Sequence, residues 1–190
     1  MRATTKLTKH EPKRLLQRIR VPSGFLLAAA LIYFGRPSAI SLAVGGGIAL
    51  IGILIRAWAA GHIRKFERLA VTGPYAHTRN PLYVGSFLLA AGFALAAGVW
   101  WLALVVGVLY LGIYYPVMRV EEGDLRSRFG TEFEKFAANV PLFIPRLTRW
   151  KKTSAGFDFQ LYLKYREYRA ALGAATVLGV LAAKMLFFSN

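Results

Sequence analysis

Val71-Thr72-Gly73-Pro74-Tyr75-Ala76-His77-Thr78-Arg79-Asn80-Pro81-Leu82-Tyr83-Val84-Gly85 places turn formers, aromatics, a histidine and an arginine directly before a long apolar run. A plain membrane anchor does not need a polar cluster at its mouth. Asn is a favoured helix cap and Pro a favoured first helical residue, so Asn80-Pro81 reads as the start of a helix. Gly73-Pro74 reads as a turn before it. A helix that begins at a membrane boundary also offers unpaired backbone donors to an anionic group. Arg79 suits a carboxylate or phosphate, and Tyr75 and Tyr83 suit an adenine ring or a cation.

Outward from this stretch the chain alternates between apolar blocks almost free of charge and short, strongly basic gaps. Apolar residues make up 56% of the 190 positions. Their blockwise layout predicts an all-α, polytopic helical membrane protein with about five transmembrane helices and cytoplasmic interfacial helices. The spans fall at roughly 21–34, 38–60, 81–97, 99–118 and 170–188. Gly35-Arg36-Pro37 breaks the first span from the second, and Ser38 is placed to cap the second. Gly45-Gly46-Gly47 suits close helix packing. With only Gly98 between them, spans three and four form a tight hairpin. Met1 to Arg20 is basic, and its second half, with Leu15, Leu16 and Ile19 on one side, can form an amphipathic surface helix. The whole reads as one membrane domain: a basic N-terminal segment 1–20, two spans in 21–60, a core in 61–145, and a basic linker with the fifth span in 146–190.

The net charge of +16 would suggest nucleic acid in a soluble chain. Here the charges instead orient a membrane protein, and no nucleic-acid partner is expected. Of 25 Lys and Arg residues, only Arg36 and Lys184 fall near one side, with Arg56 at the border of its span. The N-terminus and the two basic gaps, 61–80 and 119–169, are therefore expected on the cytoplasmic face of the plasma membrane. The chain has no cysteine, and His10, His62 and His77 lack metal-ligand spacing, so no metal is expected.

The hairpin has a chemical consequence. It brings Asn80 and Glu121, forty-one residues apart, to the same membrane face. Glu121-Glu122 follows span four immediately, where carboxylates are costly unless paired or solvated. They read either as partners of Arg119, Arg126 or Arg128, or as a holder for an ammonium or sulfonium group. The following stretch, with Phe129, Phe133, Phe136 and Val140-Pro141-Leu142-Phe143-Ile144-Pro145, predicts an interfacial helix that folds back over the site.

Gly73-Pro74-Tyr75, Arg79-Asn80-Pro81-Leu82-Tyr83-Val84-Gly85, Glu121-Glu122, Phe129-Gly130 and Val140-Pro141, in this order, resemble the superfamily of isoprenylcysteine carboxyl methyltransferases and phospholipid methyltransferases. The likeness spans roughly residues 60–145. It implies an integral membrane enzyme whose cofactor is S-adenosylmethionine. The methyl acceptor it implies is lipidic or lipid-soluble: an isoprenylcysteine carboxylate-like group or an amine-bearing lipid. By position, the resemblance assigns Glu67, Arg68, Leu69 and Ala70 to the adenosine side of the pocket. Tyr75, Asn80, Pro81, Leu82, Tyr83 and Gly85 also fall to the cofactor. Glu121 and Glu122 are shared between cofactor and catalysis, and Arg79 is catalytic. Asn80 stands where many members carry histidine; it can hydrogen-bond but not titrate, which leaves it a positioning role. Val117 occupies the place of an arginine that eukaryotic members carry before the glutamates, with Arg119 as the nearby substitute. The implied reaction is direct displacement at a sulfonium methyl. A carboxylate acceptor needs no base, whereas an amine acceptor would need His77, His62 or a glutamate. Two other readings compete. One is the related sterol reductase family, which binds a nicotinamide cofactor and is far longer. The other is a non-catalytic membrane adaptor that keeps the fold.

Overall fold

The structure is a computed structural model and describes residues 24–64, 67–151 and 156–188. The amphipathic helix expected near residues 15–19 lies outside the described residues, as does the beginning of the first span. Among the described residues the secondary structure is helical throughout. Helix α1 is Gly24–Phe34 and α2 is Ala39–Ala60. A single 3-10 turn, Gly73–Ala76, precedes α3 at Pro81–Ala96. Then follow α4, Trp100–Asn139, the short α5, Phe159–Lys164, and α6, Tyr168–Phe188. Helices α2, α4 and α6 are long and apolar enough to cross a membrane by themselves, whereas α1 and α3 are shorter apolar helices. At 16 residues, α3 is about 24 Å long, short of the ~30 Å hydrocarbon core.

Large apolar side chains point outward along the long helices, including Ile51 and Leu54 of α2, Leu104 and Val108 of α4, and Leu172 and Leu186 of α6. Such extended apolar surface is the form a lipid-facing bundle takes. Inside, small residues let the backbones touch. The α2–α3 crossing is antiparallel. Gly45 lies against Gly92 and Ala96 near one end, and Gly52 against Gly85 near the other, with backbone of the partner helix filling the place of each absent side chain. Gly46 and Gly47 have no such neighbour within van der Waals contact of the α3 backbone. Only the first glycine of the triplet therefore serves this crossing.

Ser38 caps α2 as its sequence suggests, in a reciprocal capping box with Ser41: the Ser41 amide donates to Ser38 Oγ at 3.1 Å, and the Ser38 amide to Ser41 Oγ at 2.8 Å. The α3–α4 hairpin turns at Gly98, whose φ of +71° favours glycine and whose missing side chain leaves room for the Arg36 carbonyl. At this end Leu31, Ala94, Ala96, Ala97, Leu102, Val106 and Leu181 form a core shared by α1, α3, α4 and α6. Lys184 Nζ donates to the carbonyls of Ile32 (2.6 Å) and Tyr33 (2.9 Å), satisfying the open C-terminal turn of α1.

Two features depart from the expected layout. The helix of the fourth span continues beyond Met118: α4 runs on through Glu121 and Glu122, which sit on the same helix as the apolar segment. It kinks only at Gly130 (φ 49°, ψ −124°), a conformation open to glycine. The segment that folds back is also not helical as a whole. The residues after the kink form the last turns of α4, burying Phe133 and Phe136 against Leu69 and Val140. The return over the site is then made by an irregular strap, residues 140–150, because the prolines at 141 and 145 cannot continue a helix.

Candidate functional site

The polar stretch before α3 is held by the strap. Gly73 takes φ +58° with the His62 ring where a side chain would be, and this permits the 3-10 turn that buries Pro74 and Tyr75. The Arg79 amide donates to the Pro141 carbonyl (2.9 Å), Thr78 Oγ1 to the Phe143 carbonyl (2.9 Å), and the Arg146 amide to the His77 carbonyl (2.9 Å). Asn80 occupies the cap position of α3, yet its side chain makes no cap bond. Its Nδ2 donates instead to the Leu142 carbonyl at 3.0 Å, while the Tyr83 and Val84 amides use the Asn80 backbone carbonyl. The amide is thus committed to the strap.

At the start of α3 this stretch meets the carboxylates of α4. Tyr83 Oη donates to Glu121 Oε1 at 2.8 Å. Glu122, 8% exposed, sits between two arginines: Arg79 Nη1 contacts Oε1, and Arg119 Nη1 donates to Oε2 at 2.7 Å. Arg79 and Glu122 form an ion pair, and Arg79 Nε has no hydrogen-bond partner among the described residues. Burial pulls the Arg79 guanidinium below its usual value and the adjacent Glu122 opposes this. An arginine remains charged under such a shift. Glu121 by contrast is exposed, and Tyr83 is the only hydrogen-bond partner of its carboxylate among the described residues. Behind Tyr83, Tyr110 Oη donates to the Tyr83 carbonyl at 2.6 Å. Tyr114 stacks on Tyr110 (centroids 4.1 Å apart) and meets Tyr83 edge-on at 5.5 Å.

A second polar knot lies beside the first. Arg56 of α2 pairs with both oxygens of Glu167, at 2.9 and 2.7 Å, and also contacts Ser86 Oγ and the Leu82 carbonyl in the opening turns of α3. Tyr75 is 6% exposed, and its hydroxyl has no hydrogen-bond partner among the described residues. Burial first, then the nearby Glu121 and Glu167, push this phenol well above its ordinary range.

Arg79, Tyr83, Glu121 and Glu122 therefore converge, with Asn80, Pro81 and Leu82 in the same turn. Glu67 and Arg68 do not join them: both are exposed, and no hydrogen bond or ion pair among the described residues links them to the carboxylates. Leu69 is part of the small core under the strap, and Ala70 is half-buried beside it. Gly85 packs on Gly52 and Arg56. Sequence reasoning missed Ser86, Tyr110, Tyr114 and above all Glu167. The signal for Glu167 was Arg56 itself, since an arginine inside an apolar helix needs a partner. Among the described residues there is no group of three or more His, Cys, Asp or Glu placed to hold a metal.

The carboxylates and the α3 start lie together in one segment, and residues 40–132 match the profile of the phospholipid methyltransferase family. The chain is similar to that family over just under half of its length. Two relatives agree over longer stretches and a third over a shorter one. The nickel-cobalt-cadmium resistance protein NccN of Alcaligenes xylosoxydans xylosoxydans is 34% identical over 130 residues, covering 67% of this chain and 56% of that protein. The cobalt-zinc-cadmium resistance protein CzcN of Cupriavidus metallidurans is 32% identical over 145 residues, 71% of this chain and 65% of that protein. The protein-S-isoprenylcysteine O-methyltransferase of Schizosaccharomyces pombe is 34% identical over 83 residues, 43% of this chain and 35% of the relative. The chain thus spans between about a third and two thirds of these relatives' lengths. No solved structure matches.

Proposed function

We propose that this chain transfers a methyl group from S-adenosylmethionine to a lipidic or lipid-soluble acceptor at the mouth of the α3–α4 hairpin. The observation that carries the reading is the Tyr83–Glu121 contact. It ties the α3 start to the carboxylate pair and leaves an exposed, singly bonded carboxylate beside an aromatic group. That donor set fits a cationic group. The unpartnered Tyr75 hydroxyl and Arg79 Nε fit a polar ligand next to it. When bound, S-adenosylmethionine supplies a methyl group already activated on a sulfonium. In this reading Glu121 and Tyr83 face the cationic part of the cofactor, and Glu122 holds Arg79 toward the same space. Asn80 keeps the strap closed so that water is excluded. The functional core is 61–145, and the basic gaps put the site on the cytoplasmic face. A carboxylate acceptor attacks directly, and an amine acceptor must first lose its proton.

The test is calorimetric titration of the detergent-purified chain with S-adenosylhomocysteine. Wild type should bind, and Glu121→Gln should bind at least ten-fold more weakly while melting at the same temperature, since Glu121 is exposed. Glu122→Gln should lose stability as well, because it leaves two arginines short of a partner. A well-folded wild type that does not bind sinks the methyltransferase reading. Unchanged binding by Glu121→Gln removes that carboxylate from the site.

A further inference from the structure

The strap 140–150 has two faces. Its inner face carries the hydrogen bonds to His77, Thr78, Arg79 and Asn80 and is therefore fixed. Its outer face shows Ile144, 78% exposed, and Leu147, 98% exposed. In a polar loop above the membrane two such residues would be out of place, so the depth of the strap decides what covers them. Phe143 gives that depth. Its ring meets Phe87 edge-on at 5.8 Å, and Phe87 meets Tyr110 of α4 at 5.4 Å. Phe87 lies six residues into α3, about 9 Å along the helix from Pro81. The strap thus lies along the flank of the apolar hairpin, at the level of its opening turns.

The charges at its end complete the pattern. Arg146 is folded inward, with Nη1 on the Asn139 carbonyl (2.6 Å) and Nη2 on Thr148 Oγ1 (3.0 Å). Arg149 and Lys151 are exposed, and Lys151 Nζ lies 4.4 Å from the centre of the Trp150 ring. An apolar pair followed by a tryptophan flanked by exposed cations is the pattern of a segment that passes from acyl chains to headgroups.

We propose that residues 140–151 form an in-plane membrane element of the protein, with Ile144 and Leu147 among the acyl chains and Arg149 and Lys151 on anionic lipid headgroups. The strap that closes over Asn80 and Arg79 is then wetted by lipid on its other side, and the lipid surface helps to hold it shut. This holds whether or not the chain transfers methyl groups.

The chain has no cysteine, so nitroxide labels can be placed singly in the full-length protein, at Ile144→Cys, Leu147→Cys and, as a water-facing control on the last turns of α4, Glu132→Cys. Each is reconstituted in phosphatidylcholine vesicles with and without phosphatidylglycerol. Labels at 144 and 147 should be relaxed more by oxygen than by a water-soluble nickel chelate, and the label at 132 the reverse. Replacing Arg149 and Lys151 together by Gln should shift the insertion equilibrium toward water by about thirty-fold in the anionic vesicles, on about 1 kcal/mol per basic residue, and little in the neutral ones. Labels at 144 and 147 that behave like the one at 132 overturn the proposal. Dipolar broadening between labels of two copies also overturns it, by assigning the patch to a second chain. Variants that melt with their parent and bury the labels support it.

Discussion

Tyr75 is the residue whose energetics and proposed use point in opposite directions. Its ring is buried and its hydroxyl lacks a partner among the described residues. A buried, unsatisfied hydroxyl costs about 1–3 kcal/mol. Tyr75→Phe should therefore raise the thermal stability of the unliganded protein while weakening S-adenosylhomocysteine binding, if the hydroxyl serves a ligand. A variant less stable than wild type would mean that the hydroxyl has a partner after all. The pH dependence has a definite sign. The folded-state phenol is pushed up by burial, so its contribution to stability is complete below the ordinary phenol range, about pH 10. It is lost as pH rises beyond that, because the unfolded chain ionises and the folded one does not. The Phe variant should lack this part of the alkaline decline in melting temperature. The sequence marked Tyr75 as chemistry-bearing, but its missing partner is a property of three-dimensional packing.

At the scale of elements, the α2–α3 crossing fixes where the site can be. Gly92 has the Ala49 amide and the Gly45 carbonyl where a Cβ would go, both backbone atoms that cannot step aside. Gly92→Ala must separate the helices, and overpacking of this kind costs about 1–3 kcal/mol. It should lower the melting temperature and, by shifting the α3 start, loosen the Tyr83–Glu121 contact. Gly47→Ala meets open space and should raise helix stability slightly. Equal effects at both positions would remove the close crossing. Here the limits of the sequence are plain. Long apolar blocks, the Gly98 hairpin and the Ser38 cap were legible because each rests on local rules. Which glycine of Gly45-Gly46-Gly47 touches α3 depends on rotation about the helix axis, which a run of three identical residues cannot reveal. The unbroken course of α4 through Glu121 was hidden by the abrupt change of composition at Arg119, where polarity changes but helix propensity does not. Asn80 was read as a cap because the competing acceptor, the Leu142 carbonyl, comes from sixty-two residues away.

For the whole molecule the telling contact is Arg56 with Glu167, because it joins the matched segment 40–132 to the turn that leads into helix α6. The two residues are 111 positions apart, and Glu167 sits in a stretch dominated by basic residues, so only the structure pairs them. The turn that delivers Glu167 passes through Arg166 at φ 55°, a left-handed conformation that favours glycine. Arg56 has two further duties toward α3, at Ser86 and at the Leu82 carbonyl, and these separate two roles for the pair. With both side chains largely buried, Glu167→Gln should cost roughly 3 kcal/mol, since it strands a guanidinium in apolar surroundings. The exchanged double variant Arg56→Glu, Glu167→Arg can re-form an ion pair between α2 and α6, but a glutamate at 56 cannot donate to Ser86 or Leu82. If the pair only fastens α6, the exchange should recover most of the lost melting temperature, and the amides of Tyr83 and Val84 should exchange hydrogen as slowly as in wild type. If Arg56 also holds the α3 start, melting recovers in part and those two amides exchange faster. The structure points to the second result, since the Arg56 side chain of α2 reaches α3 and the α6 lead-in at once. A Glu167→Gln variant as stable as wild type would show that α6 is held by its apolar contacts alone.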